Sequence, residues 1–147
     1  MAALGGFDSE EAIDLDNDDS ADIEKMVTAA AAPPLMYGSA NEFFREHLRH
    51  IYKRRINGNH RKWDPDWWMV PEAVVRMTAL WRSWEAHRQV PSTGISVWML
   101  DHLDRHMAVL TDPDGPFATS EAVNKAGEAL PHNEPPEELF PDEREPF

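Results

Sequence analysis

The chain has 147 residues, a formal net charge of −13 and no cysteine. That length holds one domain rather than two. The acidity excludes a protein that coats nucleic acid along its whole length, because like charges repel. The lack of cysteine excludes disulfides, thiolate metal sites and a cysteine nucleophile.

The charge is unevenly placed. Residues 1–36 hold nine acids and one lysine, and residues 111–147 hold ten acids and two bases; residues 37–110 hold eleven Lys/Arg against eight acids. Both ends are acidic and the middle is mildly basic, which leaves room there for a basic patch. The first residues have neither the basic start nor the apolar run of a secretory signal. No window approaches the roughly 18 apolar residues of a membrane span. The expectation is a cytoplasmic protein with no membrane partner.

Residues 1–36 are expected to be mostly disordered, since their few apolar side chains cannot offset the entropy of ordering. Within them, 21–32 has the composition of a short helix stopped by Pro33-Pro34. The folded domain is expected over 37–117. Ser39 with Glu42 has the spacing of a capping box. Phe44, Leu48, Ile51, Tyr52 and Ile56 then recur at helical spacing, flanked by Phe43 and His47, so a first helix is predicted over 40–57, closed by Asn57-Gly58. Asp64-Pro65 reads as a cap and first residue of a short helical turn, 64–69. Pro71-Glu72 repeats that signal for a helix over 71–88, where Val74, Met77, Thr78, Trp81 and Trp84/Glu85 make a stripe widened by Ala73 and Leu80. After a loop at 90–94, Ser96 is the expected cap of a third helix running to Leu110. Its stripe is Trp98, Met99, His102, Leu103, His106, Met107 and Leu110. A weak helix is expected over 121–130, and the Pro/Glu-rich stretch 131–147 is expected to be unstructured. The fold class is therefore all-α: a small three-helix domain with an extra helical turn, between disordered acidic ends.

Five of the six tryptophans fall between Trp63 and Trp84. Each can bury roughly 150–250 Å2, which a small domain needs, so Trp67, Trp81, Trp84 and Trp98 are expected in the core. Trp63 and Trp68 are the two expected to show an edge. A stacking platform or a protein-binding hot spot is the alternative. Asp64, Asp66, Asp101 and Glu85 are candidate acceptors for the indole N–H groups.

The middle reads W-x-P-x-W-W-x-x-P-E-A-V-x-R-x-x-A-L-W-R-x-W-E, then G-x-S-x-W-x-x-D-H-x-D-x-H-M-x-x-L, then D-G-P-F. From Trp63 to Phe117 this resembles an uncharacterised family of small actinobacterial proteins found on plasmids, conjugative elements and phage-derived islands. Val70 and Met99 stand where members often carry His and a second Trp. The resemblance implies a mobile-element context and supplies no activity.

Three constellations carry candidate chemistry. His102 and His106 lie four apart on one helix face and, with Asp101, could ligate a divalent metal. Leu103 occupies the position where zinc proteases carry their glutamate base. The alternative is structural histidines packed against indoles, Trp84-Glu85 being the expected neighbours. Arg45, Arg49, Lys53, Arg54, Arg55, His60, Arg61 and Lys62 run directly into Trp63, a pairing suited to phosphate contact and base stacking; a solvated helix face is the alternative. Asp64 and Asp66 read as caps rather than an acid/base pair. No cofactor is expected apart from that metal, and no enzyme motif is present. The leading expectation is a non-enzymatic accessory protein that binds a protein partner through its helical domain. A nucleic-acid-binding factor using 45–62 comes second, and a metal-dependent enzyme at His102/His106 third. The acidic ends could act as solubilising tails or as docking peptides such as Glu137-Glu138-Leu139-Phe140.

Overall fold

The computed structural model describes residues 33–144. Of the segment 1–36 expected to be mostly disordered, residues 1–32, with the candidate helix 21–32, lie outside the described residues. Of two units divided after Pro34, the second begins at Leu35 and contains all the helices among the described residues. There is no strand among these residues.

Helix α1 combines α-helical Ala40–Phe43, π-helical Phe44–Leu48 and a last turn, Arg49–Ile51. Ser39 Oγ accepts the Glu42 N–H at 3.1 Å, the expected cap, while the Glu42 carboxylate reaches one residue further back, to the Gly38 N–H at 2.8 Å. The wider π winding changes which residues face inward. Phe43 and Phe44 are both fully buried, whereas Ile51, expected on the apolar face, is 47% exposed.

The helix also ends earlier than the expected Asn57. Beyond Tyr52 the backbone finds other partners: Asn124 accepts the Ile56 N–H at 2.7 Å and donates to Arg54 O at 3.0 Å. Leu130 N–H caps the Arg49 carbonyl. Gly58 does take a left-handed φ of 82°, but in the loop after the helix rather than at its end.

A single 3-10 turn, Trp67–Met69, leads into α2, Pro71–His87. Its bounds match the sequence pattern because Pro71 supplies a pre-set first residue. Ala73, Met77, Leu80, Trp81, Trp84 and Glu85 are its buried face. Helix α3 joins Gly94–Trp98, π-helical Met99–Leu103 and Asp104–Leu110. It starts two residues before the expected cap, because the α2–α3 turn closes tightly: Gly94 N–H bonds Val90 O at 2.9 Å. Trp98, Leu103, Met107 and Leu110 are buried, while Met99 is 42% exposed and the two histidines are half-buried. The core lies where the three helices meet, and Trp98 joins them. Its ring meets Phe43 of α1 edge-on at 6.2 Å, and its N–H reaches Leu80 O and Ser83 Oγ of α2.

A methyl group on Gly94 would collide with the His87 carbonyl. Backbone cannot yield as a flexible side chain does, so Gly94→Ala is expected to destabilise by about 1–3 kcal/mol. Gly58 has open space around it and only its φ to defend, so Gly58→Ala should cost less. Thermal melts followed by circular dichroism compare the two; equal melting temperatures would contradict the tight turn.

The rest of the chain corrects two expectations. Residues 121–130 form no helix. They lie along the end of α1, where Asn124 and Leu130 serve the backbone bonds just described, and Leu130 is fully buried. Residues 131–142, expected to be unstructured, form an extended strap across the tryptophan turn, with one 3-10 turn at Glu137–Leu139. Pro135 is buried, and Phe140 packs on Trp67 with ring centres 5.7 Å apart. Composition hid this, because the strap's partners are indoles 65 to 68 residues away in the chain.

Candidate functional site

The tryptophan turn and the strap build one another. Trp63 Nε1 donates to Pro131 O at 3.0 Å, Trp67 Nε1 to His132 Nδ1 at 3.3 Å, and Trp68 Nε1 to Asn133 O at 2.9 Å. Three consecutive strap residues thus serve three indoles, those of the turn and Trp63 just before it. Asn133 adds its N–H to Pro65 O at 3.0 Å and its amide to Asp66 at 2.9 Å. Buried donors left without acceptors cost about 1–3 kcal/mol each, so the bonds of the two buried indoles, Trp63 and Trp67, fix the strap's register. Of the acceptors expected from sequence, Glu85 serves Trp81 at 3.2 Å. Asp64 instead accepts the Asp66 N–H, and Asp101 is exposed.

Glu85 is 8% exposed and anchors the start of the domain. Its carboxylate accepts the N–H groups of Met36 and Tyr37, the Trp81 indole and the Arg88 guanidinium. Trp84 packs on His47, with centres 4.8 Å apart, and on Tyr37. These are its neighbours in place of the expected His102 and His106.

The structure spreads the basic run over several internal tasks. Arg45 pairs with Glu46 and Glu134, both at 2.7 Å. Arg49 donates to Leu130 O at 2.9 Å, and Lys62 donates to Ser120 O at 2.8 Å. Arg54 lies over the Tyr52 ring at 3.8 Å. Lys53, Arg55 and His60 are exposed, and Arg61 is half-buried. Trp63 is fully buried, stacked on Phe44 at 5.3 Å and edge-on to Phe117 at 4.9 Å. In this arrangement its ring has no free face for a base.

The two candidate metal histidines face different neighbours. His102 lies beside His87, ring centres 5.1 Å apart. His106 Nδ1 is 3.0 Å from an Arg76 N–H, which can only donate, so the imidazole accepts. Burial first, then Arg76 and His102, holds His106 below the ordinary histidine range. Among the described residues no three His, Asp or Glu side chains form a group that could hold a metal ion.

What the first half of α3 offers is apolar surface. Ile95, Val97, Met99 and Leu100 are 41%, 38%, 42% and 63% exposed, and Val90 beside them is 48% exposed. Only Trp98 in that stretch turns fully inward. Single exposed apolar side chains are ordinary; four within six residues of one helix are more than that.

Sequence reasoning missed His132, Glu134 and Asn41, which meet where the strap crosses α1. Glu134 takes Arg45, the Asn41 amide at 2.9 Å and His132 Nε2 at 3.1 Å. The available signal was indirect: Phe140 is a large apolar side chain inside the stretch that composition marks as unstructured, and Leu130 stands just before it.

Fold and site together define a small all-helical, tryptophan-cored domain closed by an extended C-terminal strap. The chain belongs to a family described as a domain of unknown function (DUF4913), whose model matches residues 37–140. That span takes in the strap. No curated protein and no solved structure matches the chain. No helix among the described residues is long and apolar enough to cross a membrane.

Proposed function

We propose that this chain is a non-enzymatic interaction protein that binds a protein partner through the outer face of α3. The observation that carries the reading is the exposed group Ile95, Val97, Met99 and Leu100. Burying such side chains contributes about 1.5–3 kcal/mol each when complete, enough for a few of them to drive a specific contact. The basic run supports the same reading from the other side, since several of its cations already serve the fold. The resemblance of the tryptophan motif to small proteins of plasmids, conjugative elements and phage-derived islands supports an accessory role in such an element.

The test is affinity capture with the full chain and with Ile95→Asp combined with Leu100→Asp, from a lysate of cells carrying the native element. Both positions are exposed, so the variant should melt within a few degrees of the parent; surface changes are usually within ~0.5 kcal/mol. A defined partner retained by the parent and lost by the variant supports the reading. Equal retention by both, or none by the parent, counts against it.

A further inference from the structure

His132 sits between two partners that fix its tautomer. The Trp67 indole can only donate, so His132 Nδ1 accepts at 3.3 Å. The ring proton is then on Nε2, which donates to Glu134 Oε1 at 3.1 Å. The side chain is 6% exposed, and Phe44 packs edge-on against it at 5.2 Å. Neutral, the ring satisfies both neighbours. Protonated, it carries N–H on both nitrogens, and Nδ1–H would face the indole N–H, donor against donor.

We propose that His132 is a proton-operated latch: the neutral ring holds residues 131–134 on the tryptophan turn, and the imidazolium releases them, uncovering Trp67 and Trp68. The surroundings favour the neutral ring. Burial opposes its charge most, and Arg49 and Arg45 of α1 add to that; Glu134 favours the charge, and the balance lies below the ordinary histidine range. Arg45 and Asn41 both bond Glu134 Oε2, so the Arg45 charge already offsets part of the carboxylate whose Oε1 faces His132. From the turn, Asp66 faces the strap through Asn133. The strap is seated on α1 rather than interlocked with it. A cleft of about 250 Å3 lies between them, lined by Asn41, Arg45, Glu134 and Phe140 among others. Asn41 Oδ1 is buried there and has no hydrogen-bond partner among the described residues.

The sign follows from linkage. A histidine depressed in the closed state stabilises closure above its ordinary pKa of about 6.5. That stabilisation is lost as pH falls through the depressed value.

The experiment follows the indole N–H resonances of the 15N-labelled full chain from about pH 7.5 to about pH 5. Protection from exchange is scored against free indole at the same pH. The expected result is a fall of about tenfold or more for Trp67 and Trp68, with Trp98, whose acceptors lie in α2, unchanged. His132→Asn keeps an acceptor near the Nδ1 position and cannot titrate, so it should hold its protection throughout. His106→Asn, removing another depressed histidine, should behave as the parent. Unchanged Trp67 protection to the acid limit overturns the latch, as does loss together with Trp98 or an equal loss in His132→Asn. Should His132→Asn fail to fold, the His132 15N shifts of the parent decide. An Nε2–H ring that protonates together with the loss at Trp67 supports the latch, and one that protonates without it overturns the proposal.

Discussion

Replacing Trp98 by alanine is expected to cost about 3–5 kcal/mol, a large part of the ~5–15 kcal/mol that holds a typical domain together. This side chain links all three helices: it lies on α3, meets Phe43 of α1 and bonds Leu80 and Ser83 of α2. It is fully buried, so the truncation leaves a void in the core. Trp98→Phe separates the two contributions. The phenyl ring keeps most of the packing, and the acceptors left behind still bond each other, since Ser83 Oγ donates to Leu80 O at 3.1 Å. The phenylalanine variant should therefore retain more than half of what alanine loses. Urea denaturation gives both values. An alanine variant within ~1 kcal/mol of the parent would show that the helices do not depend on this contact.

Ending the chain after Leu130 is expected to have the second large effect. It strips the acceptors from Trp63, Trp67 and Trp68, removes Phe140 from Trp67 and takes Glu134 from Arg45 and Asn41. Water can replace some of these bonds, so the loss falls mainly on packing. Two or three large side chains returned to water at about 1.5–3 kcal/mol each amount to several kcal/mol. For a domain near this size each kcal/mol moves the melting temperature by about 4–8 °C, so the shortened chain should melt tens of degrees lower. If residues 131–147 were a solubilising tail, its melting temperature would not move.

The sequence made α2 legible because its signals are local: Pro71 starts it and the apolar spacing runs unbroken to Trp84-Glu85. The burial of Trp67, Trp81, Trp84 and Trp98 followed from size alone. The π-helical turns in α1 and α3 were not legible, since a period of 3.6 residues cannot register one extra residue in a turn. They are why Ile51 and Met99 face outward against the pattern. The end of α1 was hidden for another reason, since Asn124 competes for its backbone from 68 residues away. The strap was hidden in the same way, its bonds to the indoles spanning 65 to 68 residues. The basic run was legible as charge. That Arg45, Arg49 and Lys62 each have an acceptor inside the fold was not.

The domain is closed by the strap lying across the tryptophan turn, and this is what solution measurements can test. The most direct measurement is a set of nuclear Overhauser contacts from the indole Nε1 protons of Trp63, Trp67 and Trp68 to the strap. Cross-peaks to Pro131, His132 and Asn133 in that order are the predicted result. Random-coil shifts over 131–140 with no such cross-peaks would contradict it.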